Sequence, residues 1–270
     1  MRTVFFISDR TGLTAEALGN SLLTQFGEIE FKRVNLAFID SLEKAEKVVV
    51  KIRAAAQSDG TPPLIFSTQI SSEYRSLMMN SGGVLFDFFN TFISKMEQAL
   101  GQKSSHAAGL SHGVTNAKTY ASRIESINFA LNNDDGLNAK NYCNADIILT
   151  GVSRSGKTPT CLFLALQYGI YAANYPLIEQ DLHTVHLPEV LKQHKQKLFG
   201  LSINPVRLQN IRDIRRSNSG YASIDQCRKE VRRAEDIFVE NNVPFLDTSQ
   251  ISIEEIATRV VNKKKLKRRY

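Results

Sequence analysis

The chain has 270 residues, of which 42% are hydrophobic, so it is long enough for one large globular domain or two smaller ones. No apolar run reaches the ~18 residues of a membrane span, no signal-peptide core precedes the first charges, and the three widely spaced cysteines predict neither a disulfide framework nor a zinc site. The basic run 263–269 supplies six of the positive charges, so the net charge of +7 falls to 7 − 6 = +1 for the rest of the chain. We therefore expect a cytoplasmic protein that binds neither nucleic acid nor membranes. We expect the basic tail to be a solvated or frayed end rather than an arm for an acidic partner.

The chain begins with short β-rich runs that alternate with helical periodicity. Strands are predicted over 3–8, 31–39 and 62–70, and helices over 13–26 and 41–60. Because strands that alternate with helices are typical of parallel sheets, this part of the sequence predicts an N-terminal α/β layer.

The pattern changes between 71 and 140, where only helices are predicted. These helices cover 73–83, 86–101 and 120–136, with a Gly/Ser/His-rich stretch before the last of them. We therefore assign 1–103 to an N-terminal α/β domain with a helical arm, and 104–140 to a helical connector.

The α/β alternation resumes after the connector and predicts a second parallel α/β domain over 141–270. Its predicted strands cover 145–150, 170–178, 197–203 and 243–249, and its predicted helices cover 158–169, 187–195, 207–216, 224–241 and 253–263. The segments FFISDRTG and IILTGVSRSGKT both run from a strand through a small polar turn into a helix. Both an internal duplication and the shared logic of βα units account for this likeness.

Residues 151–158, GVSRSGKT, match the phosphate-loop pattern G-x-x-x-x-G-K-[ST] between a predicted strand and a predicted helix. Glycines let the backbone turn so that successive N–H groups face phosphate oxygens at the positive end of the next helix. Lys157 would bridge the terminal phosphates, and the Thr158 hydroxyl would bind Mg²⁺. The predicted nucleotide-binding residues are Gly151, Val152, Ser153, Arg154, Ser155, Gly156, Lys157 and Thr158. The alternative is a glycine turn without a ligand.

Phosphoryl transfer also needs an acid, either to hold the metal or to accept a proton. Candidate acids follow predicted strands, where polar groups converge in open α/β sheets: Asp9, Glu179, Asp181 and Asp247. Each is equally consistent with a helix cap or a surface residue. Asn204, which also follows a strand, has no carboxylate and cannot act as a base.

Positive charge is the second requirement, and four arginines lie together at 207, 212, 215 and 216. They predict either a lid that clamps phosphates or a solvated helix face. His106 and His112 lie in the Gly/Ser/His-rich stretch without metal-ligand spacing, so each is either a surface residue or a catalytic one. We select Lys157, Asp9, His112 and Arg215 as the candidate catalytic residues.

The loop and its flanks together are more specific than a bare phosphate loop. GVSRSGKTPT, YGIYAANYPL, KLFGLSINPVRL and, upstream, ISDRTGLTAEALG and YASRIESINFALNNDDG closely resemble the bacterial phosphoenolpyruvate synthase regulatory proteins, relatives of the plant pyruvate, phosphate dikinase regulatory protein. The resemblance covers nearly the whole chain. It departs from the family pattern at Arg10 and Asn204, so no role is carried over to those two positions.

The resemblance implies two opposed activities on one protein substrate. The first is an ADP-dependent serine/threonine kinase that phosphorylates a threonine of phosphoenolpyruvate synthase and inactivates it. The second removes that phosphate with inorganic phosphate and releases pyrophosphate. The implied ligands are ADP, Mg²⁺ and inorganic phosphate, the implied partner is the synthase, and a homodimer is expected. Three alternatives remain open: the dikinase as target, a phosphate-loop kinase of a small metabolite, and a nucleic-acid-binding NTPase that uses the basic tail.

Overall fold

The fold is seen in a computed structural model that describes residues 1–105, 117–215 and 220–269. The chain divides into two compact units, Met1–Thr115 and Asn116–Tyr270, here called unit 1 and unit 2. Each unit has its own parallel sheet, so the predicted α/β class is confirmed. No helix within the described ranges is long and apolar enough to cross a membrane.

Unit 1 is a four-stranded parallel sheet with helices in the connections. The strands are β1 (Arg2–Ile7), β2 (Phe31–Leu36), β3 (Leu64–Ser67) and β4 (Val84–Asp87), in the order β2-β1-β3-β4. The helices are α1 (Leu13–Leu23), α2 (Leu42–Asp59), α3 (Ser72–Met79) and α4 (Phe88–Leu100). After its first residue β1 is buried throughout, as expected for a parallel strand covered on both faces.

Strand β4 corrects the sequence prediction, which assigned 86–101 to a single helix. Residues Val84–Asp87 pair with β3 in parallel register, and the Phe86 ring stacks on Phe66 with centroids 5.0 Å apart. The strand and the next helix share a boundary, because the Asp87 carboxylate accepts a hydrogen bond from the Asn90 backbone N–H at 3.0 Å and caps α4. A four-residue strand that runs directly into a helix leaves no turn signal in the sequence.

Unit 2 has the same strand order built from a later part of the chain. Its strands are β5 (Ile147–Gly151), β6 (Ala172–Pro176), β7 (Leu198–Ser202) and β8 (Phe245–Asp247), in the order β6-β5-β7-β8 and all parallel. Its helices are α5 (Ala117–Asn132), α6 (Lys157–Tyr168), α7 (Glu189–Lys192), α8 (Pro205–Arg215), α9 (Ile224–Glu240) and α10 (Ile253–Lys264).

Helix α5, which the sequence prediction placed in a connector, packs into unit 2. The Ser126 hydroxyl donates to the Gly169 carbonyl at 2.9 Å. The Phe129 ring stacks on Tyr171 with centroids 4.8 Å apart. The end of α5 therefore lies beside the start of β6.

The basic tail is also ordered against unit 2, so the prediction of a solvated or frayed end is wrong for its last described residues. Arg268 lies over the Tyr168 ring at 4.5 Å, and Arg269 lies over the Tyr171 ring at 3.8 Å. Arg269 also pairs with the Asp146 carboxylate at 2.8 Å. Cation–π contacts and this ion pair hold two of the six charges on the protein surface.

Candidate active site

The loop between β5 and α6 contains the predicted phosphate-binding residues. Gly151 ends β5 so close to the neighbouring strand that an added Cβ would lie 2.2 Å from the Leu201 carbonyl oxygen. Gly156 adopts a φ of 91° immediately before α6, and that helix begins without a side-chain cap. Arg154 holds a φ of 78°, which is uncommon for a residue with a side chain. The loop is therefore a tightly turned segment whose first helical N–H groups are free for a ligand.

Lys157 is folded back over this loop. Its side chain is only 5% exposed, and its Nζ donates to the carbonyl oxygens of Gly151 at 3.0 Å and Val152 at 2.9 Å. Burial lowers the pKa of Lys157 from its usual 10.5 to about 8, while the nearby Asp135 carboxylate opposes that shift. The amine is thus a buried donor whose acceptors in this structure are two loop carbonyls.

Thr158 is paired with an acid that the sequence analysis did not select. Its Oγ1 donates to Asp134 Oδ1 at 2.8 Å. The buried side chain of Asn174, on β6, donates to the same carboxylate oxygen and accepts the Asp135 backbone N–H at 3.0 Å. Asp135 has a φ of 50°, and the next residue, Gly136, also has a positive φ.

Long-range packing brings Asp134 to the loop. It lies just after α5, far along the chain from Thr158, and β6 supplies the asparagine that holds it. The signal in the sequence was the segment NNDDG, in which two acids precede a glycine at the end of a predicted helix. Such a segment is as typical of a helix end as of a site, so only the fold distinguishes the two readings.

A cavity of about 720 Å³ lies beside the loop, large enough for a nucleotide-sized ligand. It is lined by Asp135, Ser153, Pro176, Leu177, Ile178, Glu179, Arg212, Gly220, Tyr221, Gln226 and Glu230. The Tyr221 hydroxyl donates to Ser153 Oγ at 2.9 Å. The cavity wall and the loop are therefore directly connected.

Among the described arginines of the predicted lid, Arg212 is the one that lines this cavity. It is 0% exposed, its Nη2 donates to Glu230 at 2.6 Å and to the Ser153 carbonyl at 3.2 Å, and it lies over the Tyr221 ring at 4.0 Å. Burial opposes the charge of Arg212, but the Glu230 carboxylate keeps its pKa above the usual value. A guanidinium clamped in this way is a fixed part of the wall and not a mobile lid.

The other predicted site residues are dispersed. Arg207 and Arg215 are exposed on α8 and do not line the cavity. Asp9 lies in unit 1, beside a different cavity. His106, His112 and Arg216 lie outside the described residues. The predicted catalytic roles of Asp9, His112 and Arg215 stay predictions.

Of the three remaining candidate acids, one lines the cavity and two accept hydrogen bonds from nearby residues. Glu179 lines the cavity. Asp181 accepts from the Tyr175 hydroxyl at 3.2 Å, and Asp247 accepts from the Ser249 backbone N–H at 2.8 Å. Asn204 caps α8 by accepting the Val206 N–H at 2.9 Å. Asp181 and Asp247 therefore already have structural roles, as Asn204 does.

Two buried polar atoms near the loop suit a phosphate-bearing ligand. Ser155 Oγ and Arg212 Nε are both buried without a hydrogen-bond partner among the described residues. Buried donors without partners are costly, because such a group has lost its hydrogen bonds to water. Together with the free N–H groups, Lys157 and the Thr158 and Asp134 oxygens, they form a donor set that fits a nucleotide and a divalent cation.

The sequence of the chain matches one family model over residues 4–261, described as kinase/pyrophosphorylase. The chain belongs to this family. A relative from Alkalilimnicola ehrlichii is 54% identical over 99% of this chain and 97% of its own length. Relatives from Legionella pneumophila and Marinobacter nauticus are 51% and 50% identical, over 96% and 99% of this chain and 96% and 98% of their own lengths. All three carry the name phosphoenolpyruvate synthase regulatory protein.

Family membership confirms the predicted resemblance and makes the chain a kinase-type enzyme. The matched range covers both units, including the loop at Gly151–Thr158 and the acids Asp134 and Asp135.

Proposed function

We propose that this protein is a bifunctional regulator of phosphoenolpyruvate synthase. It would transfer a phosphoryl group from ADP to a threonine of the synthase, which inactivates it, and remove that group with inorganic phosphate, releasing pyrophosphate. The family description and the names of the relatives support the target and the reaction class. The observation that carries the proposal is the buried Lys157 with the Thr158–Asp134 pair, in a loop whose neighbouring residues Ser153 and Asp135 line a nucleotide-sized cavity.

The loop residues would hold the phosphates of the donor. The N–H groups that open α6 carry the partial positive charge of the helix end. Lys157 would leave the Gly151 and Val152 carbonyls and donate to a phosphate oxygen, which restores its full charge because an anion raises the pKa of a nearby amine. Residues Gly151–Thr158 thus form a phosphate loop in this proposal.

Thr158 and Asp134 would hold Mg²⁺, since a hydroxyl and one carboxylate are the protein ligands that a phosphate-bound magnesium ion commonly keeps. When bound, the ion neutralises the charge of the transferred group. Asn174 would orient the Asp134 carboxylate, because its amide already donates to that oxygen.

In the forward reaction the threonine hydroxyl oxygen attacks the β-phosphorus of ADP. The new O–P bond forms as the bond to the α,β-bridging oxygen breaks, AMP leaves, and Asp135 at the cavity wall takes the hydroxyl proton. In the reverse direction an oxygen of inorganic phosphate attacks the phosphothreonine, the threonine oxygen leaves and takes back a proton, and pyrophosphate departs. Both directions use the same phosphate pocket.

The test is transfer of label from ADP carrying ³²P at the β-phosphate to purified phosphoenolpyruvate synthase, with ATP carrying ³²P at the γ-phosphate in parallel. We expect label on a synthase threonine from ADP. Lys157→Ala and Asp134→Asn should each lower the rate by about 10²-fold or more, as for loss of a group that stabilises the transferred phosphate. Asp236→Asn removes the same charge from a half-exposed position that pairs with Arg233, and this variant should transfer at the wild-type rate.

Transfer from ATP alone, or transfer to a small metabolite without the synthase, would point to an ordinary metabolite kinase. Full activity in Lys157→Ala would exclude the loop as the phosphate site.

A further inference from the structure

The loop Gly151–Thr158 is tied to the rest of unit 2 through two of its backbone carbonyl groups. The Ser153 carbonyl accepts a hydrogen bond from Arg212 at 3.2 Å. The Ser155 carbonyl accepts one from the hydroxyl of Thr248, also at 3.2 Å. Two carbonyls of the loop are therefore held by side chains from distant segments of the chain.

Thr248 lies directly after β8 and is bonded to the neighbouring strand as well as to the loop. Its side chain is buried, and its backbone N–H donates to the carbonyl oxygen of Ser202, the last residue of β7, at 2.9 Å. Its Oγ1 lies 2.9 Å from the same oxygen and 3.2 Å from the Ser155 oxygen. A hydroxyl has one proton to donate, and the Ser202 oxygen already has the N–H. The Ser155 oxygen is therefore the acceptor that depends on the hydroxyl.

The chain after Ser155 offers its carbonyl no donor at helical spacing. The residue four positions later is Pro159, which has no N–H. The first such bond of α6 instead joins the Thr160 N–H to the Gly156 carbonyl at 3.2 Å. Among the residues that the structure describes, Thr248 alone donates to the Ser155 oxygen.

The direction of the Ser155 carbonyl fixes the direction of the next N–H group. In a planar trans peptide the C=O and N–H bonds point to opposite sides. Because the Ser155 oxygen faces Thr248, the N–H of Gly156 faces away from it. This N–H makes no hydrogen bond to a described residue. Thr248 therefore keeps the Gly156 N–H among the free donors at the start of α6.

The backbone on both sides of this peptide is in an unusual conformation. Arg154 has a φ of 78° and Gly156 has a φ of 91°, and a positive φ is uncommon for a residue with a side chain. If the peptide between Ser155 and Gly156 turned over, a carbonyl oxygen would replace the N–H among these donors. Its partial negative charge would then repel an anion.

We propose that Thr248 is a positioning residue for the phosphate loop. Its hydroxyl holds the Ser155 carbonyl toward β8, so that the Gly156 N–H is directed at an oxygen of the donor phosphate or of inorganic phosphate. Thr248 does not line the cavity beside the loop, so it acts through the loop backbone. This inference rests on the proposed function of the loop as the phosphate site.

The test compares Thr248→Val, which has nearly the same shape without the hydroxyl, with Thr248→Ser, which keeps the donor. In isothermal titration of the full chain with inorganic phosphate, Thr248→Val should bind about tenfold more weakly, since a hydrogen bond to an anion is lost. Thr248→Ser should bind with wild-type affinity. Thr258→Val is the matched control, because it removes a hydroxyl of α10 that contacts Tyr168 at the far end of α6. It should also bind phosphate as the wild type does.

Transfer kinetics distinguish positioning from a purely structural role. Thr248→Val should raise the KM for ADP about tenfold and leave the KM for the synthase unchanged. A variant that is only less stable contains less folded enzyme, which lowers kcat and leaves both KM values unchanged. Thermal unfolding measures the stability of each variant separately.

The amide of Gly156 can be observed directly by NMR. Protein labelled with ¹³C at serine carbonyls and ¹⁵N at glycines gives HNCO signals for Ser–Gly pairs, of which the sequence has three, at 81–82, 155–156 and 219–220. Saturating phosphate should shift one of these signals in the wild type and in Thr248→Ser. The shift should be smaller in Thr248→Val at equal saturation.

Wild-type phosphate affinity and an unchanged KM for ADP in Thr248→Val would overturn the positioning role while the proposed function stands. A loss of affinity that Thr248→Ser shares would also overturn it, because serine keeps the hydroxyl. Failure of the wild type to bind phosphate, or full phosphate binding by Lys157→Ala, would remove the phosphate loop from the proposed function and the positioning role with it.

Discussion

Units 1 and 2 share a strand order and a loop pattern, but they differ in how the helix after the first strand is packed. In unit 2, helix α6 packs against α5 and α10 and buries six of its residues, among them Lys157. In unit 1, helix α1 buries only three residues and leaves Leu18 and Leu22 exposed. The same βα arrangement therefore occurs in both units. Neighbouring helices cover the helix in unit 2, whereas the helix in unit 1 is largely exposed.

Under the proposed function, the difference shows what the loop of unit 2 needs beyond its backbone turn. A lysine that moves from loop carbonyls to a phosphate needs a buried setting in which its charge is costly until the ligand arrives. Unit 1 has no lysine at the corresponding place, where the exposed Leu13 follows Gly12.

The largest contrast is between the two clamped arginines. Arg212→Ala should lower the free energy of unfolding by about 3 to 5 kcal/mol, because it leaves the Glu230 carboxylate without its buried partner. Arg75→Ala breaks the longer and more accessible pair that Arg75 makes with Asp87 in unit 1, so a loss of about 1 kcal/mol is expected. Urea unfolding of both variants measures the two losses, and equal losses would contradict the expectation that the Arg212 pair stabilises the fold more.

The second contrast concerns the glycines. Gly151→Ala places a Cβ 2.2 Å from a backbone oxygen of β7, so the strands must shift, at a cost of about 3 kcal/mol. Gly12→Ala has no atom closer than 3.9 Å and meets only the strain of φ 79°, about 1 to 2 kcal/mol. Thermal unfolding of the two variants compares their losses of stability. A smaller loss for Gly151→Ala than for Gly12→Ala would show that β7 moves to accommodate the added methyl group.

The third contrast is the pH dependence of the free energy of unfolding. Only unit 2 has a titratable residue, Lys157, directly after the loop glycine, where unit 1 has Leu13. The folded pKa of Lys157, about 8, is below its usual 10.5, so the unfolded chain binds more protons between these values and stability rises with pH there. Relative to Lys157→Met, the wild type should gain about 1.4 kcal/mol per pH unit within that window, and nothing below pH 8. Urea unfolding from pH 7 to 10 checks this, and parallel curves would mean that the amine is not buried.

The smallest effect is at the tail, which supports unit 2. Arg269→Ala removes the Asp146 ion pair and the contact with the Tyr171 ring, for an expected loss of about 1 kcal/mol. Arg232→Ala, an exposed arginine on α9, is the matched control and should change little. Differential scanning calorimetry of both variants measures the difference. Identical melting curves would show that the tail is solvated, as its sequence predicts.

The local pattern predicted the strands β1 and β5, the long helices α2 and α9 and the loop at Gly151, because each has strong periodicity or a specific motif. It missed β4, which is too short to interrupt helical periodicity.

The rest of the site depends on contacts between distant segments. Asp134 reaches Thr158 through Asn174, and Arg212 is fixed by Glu230 from another helix. No local pattern contains such pairings. The predicted homodimer and the predicted domain limits stay predictions.

The burial of two of the three cysteines makes the protein ready for fluorescence work without engineering. Cys161 and Cys227 are buried and Cys143 is exposed, and burial raises the pKa of both buried thiols, so a maleimide dye will react first at Cys143. That residue precedes β5, at the end of the strand away from the loop Gly151–Thr158. Under the proposed function, a dye there would label unit 2 without touching a nucleotide bound at the loop.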